Sequence, residues 1–307
     1  MYTSRVSVII PVYNGARFLA ETLRTALDQT LPPYEVIVVD DGSRDESAAI
    51  AESTPGVTCV RQPNRGAALA RNHGLGLASG EFVVFQDQDD RLAPDAIEVG
   101  VAALATRPEA GFAYGRSVYI DSSGNPLPMV QLPDTPAASY LTLLSGDSLV
   151  PPGCAIFRRE AVVSVGGFRK EAGLTEDYDL YLRVARRFPI HCHNRVVADY
   201  RLHDTNACNQ KIDRLIHSMQ WTLADQGRGA PLDPETERVL RSGWQHWLKV
   251  LGPPLAAQVL GKAKRGRLRE AASDALLLLR HYPRGVLRIF ADSFATLRQV
   301  VGGKLGG

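Results

Sequence analysis

The sequence predicts an α/β fold with a doubly wound, mostly parallel central sheet and a helical C-terminal appendage. Over the first ninety residues, short apolar runs rich in β-branched side chains alternate with stretches of helical periodicity. Each run is hydrophobic at consecutive positions, which is typical of strands buried on both faces. Beyond about Asn206 the pattern is helical and more charged. Alternating strands and helices favour parallel pairing with right-handed crossovers.

These patterns assign the N-terminal strands and helices. The predicted strands are Val6 to Ile10, Val36 to Val39, Val57 to Val60 and Phe82 to Phe85. The first helix carries an apolar stripe at helical spacing, made of Leu19, Leu23, Ala26 and Leu27. Ser43 and Glu46 have the spacing of a capping box, which predicts that the second helix begins there. A third helix is expected from about Ala67 to Ala78.

The middle of the chain is less regular. We predict a strand at Gly111 to Ile120 and another within Pro151 to Arg158, separated by a loop-rich segment at 121 to 147. Helices are expected near Glu160 to Val165 and at 176 to 187. We find no internal repeat in the sequence.

Composition limits the class of protein. The chain has 307 residues, of which 45% are hydrophobic, enough for one large domain or one domain with an appendage. A formal net charge of +2 gives no general reason to expect nucleic acid as a partner. The cysteines lack C-x-x-C spacing, so we interpret Cys59, Cys154, Cys192 and Cys208 as reduced thiols of a cytosolic protein. We recognise neither a signal peptide nor an apolar run of the ~20 residues that a membrane helix needs.

Polar or turn-forming residues follow each of the four N-terminal strands. The four segments are Pro11-Val12-Tyr13-Asn14-Gly15, Asp40-Asp41-Gly42-Ser43, Gln62-Pro63-Asn64-Arg65-Gly66 and Gln86-Asp87-Gln88-Asp89-Asp90. In doubly wound sheets, ligands bind beyond the carboxyl ends of the strands. Five acids, one arginine and two asparagines should therefore meet at one edge of the sheet and form a site.

The last of these segments concentrates negative charge. Asp87, Asp89 and Asp90 lie within four positions after an apolar strand. Carboxylates this close repel one another unless water or a cation offsets the repulsion. The segment is therefore either a solvated acidic turn or part of a cation site.

Several motifs together resemble the family 2 glycosyltransferases of the GT-A fold. They are VSVIIPVYNGARFLAETLRTALDQ, YEVIVVDDGSRDES, NRGAALARNHGL, GEFVVFQDQDD and GGFRKEAGLTEDYDLYLR, in order between about Val6 and His203. The resemblance implies a GT-A catalytic domain at 1–205, with a nucleotide-sugar half at about 1–95 and an acceptor half at about 96–205. Residues 206–307 then form a helical C-terminal region to which the resemblance does not extend.

The resemblance also implies a donor site. Asp87-x-Asp89 resembles the D-x-D motif that binds Mn²⁺ or Mg²⁺, with Asp89 as main ligand and Asp87 as a second ligand or ribose contact. His203, in Tyr200-Arg201-Leu202-His203, resembles a further metal or phosphate contact, and Asp90 would only support the loop. The remaining nucleotide-sugar contacts that the resemblance implies are Pro11, Tyr13, Asn14, Asp40, Asn64, Arg65 and Arg71. Asn14 equally suits a structural turn, and Arg71 equally suits a surface charge.

The acceptor side resembles the family in Glu176-Asp177. In inverting members an aspartate at this position removes the proton of the acceptor hydroxyl, so the resemblance implies that Asp177 is the general base. Both acids also follow a predicted N-cap, Thr175, where negative charge stabilises a helix dipole. That dipole leads us to expect a lowered pKa for Asp177. Asp179 is expected to have a local role.

The basic cluster at 262–269 precedes further amphipathic sequence at 273–301. It suits either the solvated face of a helical bundle or peripheral contact with an anionic membrane surface. Pro283 and Gly285 argue against one continuous membrane helix.

The resemblance implies a metal-dependent, inverting glycosyltransferase with a nucleotide-diphospho-sugar donor, UDP-linked in our interpretation. A saccharide or lipid-linked saccharide would be the acceptor, in bacterial surface polysaccharide or glycolipid assembly on the cytoplasmic side of the membrane. The alternative is a GT-A module that binds nucleotide sugar, or assists a partner subunit, without transferring it. A dinucleotide-dependent oxidoreductase is disfavoured because no G-x-G-x-x-G follows the first strand.

Overall fold

A computed structural model describes residues 4–128, 138–146, 150–206, 211–228 and 231–283. The chain divides into two compact units, Met1–Asn206 and Ala207–Gly307. The further division of the first unit into donor and acceptor halves stays a prediction. Cys59, Cys154 and Cys192 form no disulfide, and Cys208 lies outside the described residues.

One eight-stranded sheet forms the centre of the first unit, with strand order β3-β2-β1-β4-β7-β6-β8-β5. The strands are β1 Val6–Val12, β2 Glu35–Asp40, β3 Val57–Arg61, β4 Phe82–Phe85, β5 Arg91–Leu92, β6 Phe112–Ile120, β7 Ala155–Arg158 and β8 Ile190–Arg201. The first four neighbours pair in parallel, as predicted. Strand β7 is antiparallel to both β4 and β6, β8 runs parallel to β6, and β5 is antiparallel to β8.

The helices of the first unit are α1 Ala16–Leu27, α2 Ser47–Ser53, α3 Ala67–Leu77, α4 Ala96–Ala105, α5 Tyr140–Leu144, α6 Arg159–Ser164 and α7 Glu176–Ala185. Short 3₁₀ segments lie at Pro152–Cys154 and Lys170–Thr175. The sequence pattern did not predict β5, β8, α4 or α5. The α/β prediction with a mostly parallel sheet is confirmed.

Apolar packing holds α1 and α3 against the sheet. Leu19, Leu23 and Ala26 of α1 are fully buried, which confirms most of the predicted stripe. On α3, a Cβ at Gly74 would lie 2.4 Å from Ile9 Cγ2 of β1, so the absence of a side chain lets helix and strand approach closely. Both helices are thereby fixed relative to the carboxyl end of β1.

Two local predictions were wrong. Ser43 and Glu46 form no capping box: helix α2 begins at Ser47, and Ser43 Oγ instead accepts a hydrogen bond from the backbone N–H of Asn14 at 2.9 Å. The strand at Val57 is not buried on both faces, because β3 is the edge of the sheet and none of its residues is fully buried. A consecutive apolar run does not distinguish an edge strand from a central one.

The described part of the second unit is helical, as predicted, with α8 Ile212–Gln226, α9 Pro234–Lys264 and α10 Leu268–His281. Asp233 caps α9 by accepting from the backbone N–H groups of Glu235 and Thr236. Part of the basic cluster is internal, because Lys262 Nζ donates to the buried Asp274 at 2.6 Å. Pro283 follows α10, whereas Gly285 lies outside the described residues. No described helix is long and apolar enough to cross a membrane.

Candidate active site

The segment after β4 is held rigidly. Thr22 Oγ1 of α1 lies 2.9 Å from the carbonyl oxygens of both Gln88 and Asp90. Gln86 is fully buried, and its Nε2 donates to the Asp90 carbonyl at 3.1 Å. These bonds fix the backbone from which the three aspartates project, so the acidic segment is not a loose solvated turn.

Asp89 meets His203 at this site. Asp89 Oδ2 and His203 Nε2 are 2.8 Å apart, and the side chains are 18% and 4% exposed. The ring of Phe18 packs beside the imidazole with centroids 4.9 Å apart, and Thr205 Oγ1 contacts its Nδ1 at 2.8 Å. A carboxylate oxygen of Asp89 and a ring nitrogen of His203, both of which can bind a metal ion, therefore lie side by side.

Asp87 faces a different partner. Its Oδ1 accepts a 2.5 Å hydrogen bond from Nη2 of Arg71, and Arg71 Nη1 donates to Glu176 Oε1 at 2.8 Å. Burial raises the pKa of Asp87, as does the charge of Asp89, whereas Arg71 lowers it. Arg71 is only 4% exposed, so the surface-charge alternative is wrong.

Asp90 and Arg201 brace the acidic segment. Asp90 Oδ1 accepts from the backbone N–H of Arg201 at 2.8 Å, which agrees with the supporting role expected for Asp90. Burial raises the pKa of Asp90 well above its usual value, and the neighbouring aspartates add to this effect. The Arg201 guanidinium is buried, donating to the Asp89 carbonyl at 2.8 Å and to Glu21 Oε2 at 2.5 Å. Arg201 is thus a structural residue of the site.

The first loop presents one exposed aromatic ring. Tyr13 is 46% exposed, and its backbone N–H donates to Gln88 Oε1 at 2.8 Å, which ties this loop to the acidic segment. Asn14 has a φ of +51°, and its Oδ1 accepts from the backbone N–H of Arg44 at 2.9 Å. These contacts favour the structural alternative for Asn14. Pro11 is buried within β1.

Asp40 does not face the open edge of the sheet. Its side chain is fully buried, and its two oxygens accept from Arg61 Nε and from the Ser43 backbone N–H, each at 3.1 Å. A base contact would have to displace one of these donors. Contact between Asp40 and the base of a nucleotide sugar therefore stays a prediction.

Asp41, which the sequence did not single out, organises the third loop. Its carboxylate accepts from the backbone N–H groups of Arg65 and Gly66, both at 2.8 Å, and from Gln62 Nε2 at 2.7 Å. Asn64 and Arg65 are exposed at this edge of the sheet, as contact with a nucleotide sugar requires. The pair Asp40-Asp41 was the sequence signal that could have identified this residue. The sequence analysis assigned a role to Asp40 alone.

Asp177 lies in the first turn of α7, and its Oδ1 accepts from the backbone N–H of Tyr178 at 2.7 Å. Burial and the adjacent Glu176 raise the pKa of Asp177 to about 7, although Arg71 and the Tyr178 hydrogen bond lower it. The expectation of a lowered pKa is wrong, because the helix dipole is outweighed by desolvation and by a like charge. A carboxylate with a pKa near neutrality suits a general base.

A second buried cluster fixes the acceptor-side turn. Asp179 is buried between Arg169 and Arg183, the latter at 2.8 Å, which agrees with its expected local role. Arg183 also donates to the Gly167 carbonyl at 2.6 Å. Asn72 of α3 bonds both backbone groups of Phe168 at 2.8 Å. The start of α7 is thereby held against α3.

The predicted metal ligands do not all converge. Among the described residues, no group of three or more His, Cys, Asp or Glu side chains is placed to hold a metal ion. Asp89 and His203 are together, whereas Asp87 is turned towards Arg71. One carboxylate and one imidazole nevertheless fit a Mn²⁺ or Mg²⁺ ion that takes its other ligands from a diphosphate and water.

Comparison with known proteins identifies the family. The profile of "Glycosyl transferase family 2" matches residues 7–166. An uncharacterized glycosyltransferase of Rickettsia conorii is 33% identical over 66% of this chain and 35% of its own length. Chondroitin synthase of Escherichia coli is 28% identical over 68% of this chain and 30% of its own. The match thus spans about a third of these relatives.

Solved structures share the fold. TarS of Staphylococcus aureus, in complex with UDP-GlcNAc, superposes with a TM-score of 0.63 at 20% identity, covering 77% of this chain and 70% of its own. The mannosyltransferase PcManGT of Pyrobaculum calidifontis, in complex with GDP-Man and Mn²⁺, gives a TM-score of 0.62 at 25% identity, covering 96% of this chain and 87% of its own. The predicted GT-A architecture is confirmed.

Proposed function

The chain belongs to glycosyltransferase family 2, and on that basis we propose that it is a metal-dependent, inverting transferase using a nucleotide-diphospho-sugar. UDP is the nucleotide we favour, and a hydroxyl of a saccharide or lipid-linked saccharide is the acceptor. TarS and PcManGT were solved with UDP-GlcNAc and with GDP-Man and Mn²⁺, which supports this class of donor and cofactor.

One observation carries the proposal: a single buried arginine joins the D-x-D segment to the first turn of α7. Arg71 contacts Asp87 at 2.5 Å and Glu176 at 2.8 Å, and Asp177 follows directly in the chain. The acids assigned to the donor and those assigned to the acceptor therefore meet at one place. Direct displacement requires this proximity, because both substrates must reach the same carbon.

The residues divide the chemistry between them. Asp89 and His203 would hold Mn²⁺ or Mg²⁺, which when bound offsets the negative charge that develops on the departing nucleoside diphosphate. Tyr13 offers an exposed face for stacking of the base, and the exposed Asn64 and Arg65 lie at the same edge of the sheet.

Asp177 is the base in this proposal. It accepts the acceptor hydroxyl proton as the oxygen attacks the anomeric carbon from the face opposite the diphosphate, which inverts the configuration. Its pKa of about 7 leaves a substantial ionised fraction at neutral pH. Transfer should therefore rise with pH through this region, because only the carboxylate form takes up a proton.

A panel of nucleotide sugars tests the proposal. Thermal unfolding is measured with Mn²⁺ and each of UDP-Glc, UDP-GlcNAc, UDP-Gal and GDP-Man, and a bound donor raises the melting temperature by mass action. The donor that binds is then used in transfer assays with wild type and Asp177→Asn. Loss of transfer with retained binding is the expected result, and Glu171→Gln, at an exposed position in the preceding 3₁₀ segment, serves as control.

The non-catalytic alternative predicts a different outcome. A module that only holds nucleotide sugar would show the same thermal shift, but transfer would be absent from the wild type as well. Transfer that survives Asp177→Asn unchanged would instead remove the base assignment. A panel without any shift in the presence of Mn²⁺ would contradict the donor proposal itself.

We also propose a cytoplasmic location with peripheral membrane contact, for assembly of bacterial surface polysaccharide or glycolipid. This proposal rests on the second unit, where Lys264, Arg265 and Arg269 are exposed around the start of α10. Clustered bases of this kind attract anionic lipid headgroups. Co-sedimentation with vesicles of phosphatidylglycerol and phosphatidylcholine should fall when these three residues are replaced by glutamine.

A further inference from the structure

The turn at 201–206 holds the His203 ring in place. Phe18 of α1 packs beside the imidazole, with ring centroids 4.9 Å apart, and the His203 side chain is only 4% exposed. Asn206 closes the turn, because its Oδ1 accepts from the backbone N–H of His203 at 2.6 Å and its Nδ2 donates to the Arg201 carbonyl at 3.2 Å. The chemistry of the ring therefore depends on the groups that its two nitrogens face.

The Nε2 nitrogen of His203 has two neighbours of opposite character. The ionised carboxylate of Asp89, with Oδ2 at 2.8 Å, can only accept a hydrogen bond, whereas Asn206 Nδ2 at 3.2 Å can only donate one. Asp89 therefore favours a hydrogen on Nε2, and Asn206 favours a lone pair there. Because these two contacts act in opposite senses, the partner of the other ring nitrogen becomes important for the choice between the two neutral tautomers.

Thr205 provides the partners of that other nitrogen, Nδ1. Its hydroxyl oxygen lies 2.8 Å from Nδ1, and its backbone N–H approaches the same atom with a nitrogen–nitrogen distance of 3.3 Å. A backbone N–H can only donate, whereas a hydroxyl can donate or accept by rotating. Among the described residues, the Thr205 hydroxyl is therefore the sole acceptor that a hydrogen on Nδ1 can use.

An ion shared by Asp89 and His203 needs the lone pair of Nε2. A neutral imidazole carries one hydrogen, so Nε2 is free to bind an ion only when that hydrogen lies on Nδ1. Histidines that bind metals in proteins almost always donate this second N–H to an acceptor, which fixes the tautomer and orients the ring. The contact between Nδ1 and the Thr205 hydroxyl has the length and the chemistry for this role.

We propose that Thr205 is a positioning residue for the metal ion: its hydroxyl accepts a hydrogen bond from Nδ1 of His203 and so leaves Nε2 free to bind Mn²⁺ or Mg²⁺. The inference rests on the proposed function, which assigns Asp89 and His203 to the ion. The neutral ring loses no net proton, because the hydrogen on Nε2 passes to water and one from water takes its place on Nδ1. The Thr205 hydroxyl serves both tautomers, since it turns from donor to acceptor as the hydrogen moves.

Calorimetric titration of Mn²⁺ into the full chain in the presence of UDP tests the role of the hydroxyl. Thr205→Val keeps the shape of the side chain but removes the acceptor, so the affinity for Mn²⁺ should fall at least about tenfold. Thr205→Ser keeps a hydroxyl and should restore most of the wild-type affinity. Thr30→Val is the matched control and should leave the affinity unchanged, because Thr30 is also exposed but its hydroxyl bonds a different carboxylate, that of Glu98, at 2.7 Å.

A role of Thr205 in the stability of the turn alone predicts a different result. The loss of the hydroxyl would then disturb the whole site, and the affinity for UDP measured in EDTA would fall together with the affinity for Mn²⁺. We expect instead that Thr205→Val binds UDP in EDTA as the wild type does, so that the loss is confined to the metal ion.

Nuclear magnetic resonance of the ring nitrogens gives a second readout that needs no turnover. The full chain is labelled with ¹⁵N at histidine and measured at pH 8 with UDP and Mg²⁺, which replaces Mn²⁺ because Mn²⁺ is paramagnetic. The hydrogen of His203 should then lie on Nδ1, and its resonances are assigned by their loss in His203→Gln.

The outcomes separate the two ideas. If neither UDP nor GDP binds to the wild type with Mn²⁺, the proposed function fails and the inference fails with it. If UDP and Mn²⁺ bind to the wild type but Thr205→Val keeps the wild-type affinity for Mn²⁺, only the inference is overturned. The same conclusion follows if Thr205→Ser loses as much affinity as Thr205→Val, if UDP binding in EDTA falls equally, or if the hydrogen of His203 stays on Nε2 with Mg²⁺ and UDP bound.

Discussion

Replacement of Asp177 by asparagine should remove activity and stabilise the fold. In the native protein, burial and Glu176 raise the pKa of this carboxyl from 3.8 to about 7. The unfolded chain therefore gives up the proton at lower pH than the folded one, so wild-type stability falls as pH rises from about 4 to about 7. An asparagine has no proton to lose and avoids this penalty.

The size of the effect follows from the same two pKa values. The interval between 3.8 and about 7 corresponds to at most about 4 kcal/mol, gained progressively between those pH values. Between pH 5 and pH 8 the advantage of Asp177→Asn should grow by roughly 2–3 kcal/mol, since part of it is already present at pH 5. Each kcal/mol raises the melting temperature by about 2–4 °C for a domain of this size.

Urea unfolding of both proteins at pH 5 and pH 8, followed by circular dichroism, measures the change directly. Glu171→Gln is the control, because Glu171 is exposed and its removal should have a similar effect at both pH values. An advantage of Asp177→Asn that is absent, or that does not grow with pH, would show that Asp177 is ionised at no cost. The argument for a base with a neutral pKa would then be refuted.

Three further substitutions test separate parts of the site. Arg201→Met should lower the free energy of unfolding by about 1–3 kcal/mol, because the Asp89 carbonyl loses its donor while Arg91 still pairs with Glu21; urea unfolding measures this, and a loss below about 0.5 kcal/mol would contradict the bracing role. His203→Ala should weaken Mn²⁺ binding in the presence of UDP at least about tenfold, as measured by calorimetry; unchanged affinity would remove His203 from the ligand set. Tyr13→Ala should weaken UDP binding by about 1–3 kcal/mol if the ring stacks on the base, whereas Tyr34→Ala, at another exposed tyrosine, should not change it.

Much of the fold was predictable because the succession of strands and helices along the chain and the helix periodicity are local properties of the sequence. The apolar runs at β1, β2 and β4 and the stripe on α1 are encoded by residues close together in the chain, and the structure confirms them. Parallel strands end at one edge, so the convergence of the following loops was also predictable. The position of β3 at the edge of the sheet was not predictable, because the topology of the whole chain determines which strands are neighbours.

The candidate site was predicted in part. The residue types at Asp87, Asp89 and Asp177 indicated the chemistry, yet their environments came from distant parts of the chain. Nothing near Asp177 in sequence shows that the adjacent Glu176 shares an arginine with the D-x-D segment. The helix position of Asp177 alone predicted the wrong direction of its pKa change. The role of Asp41 was missed because its partners lie 21 to 25 positions away.

The amino-acid sequence by itself determined the alternation of strands and helices, the edge at which polar loops gather, and the family to which the chain belongs. The tertiary structure alone decided which charges face one another: Asp89 with His203, and Arg71 with both Asp87 and Glu176. The physical reason is the distance along the chain over which each effect acts. Periodicity and turn chemistry act over a few residues, whereas burial and Coulomb interactions depend on distances in space that only the folded chain sets.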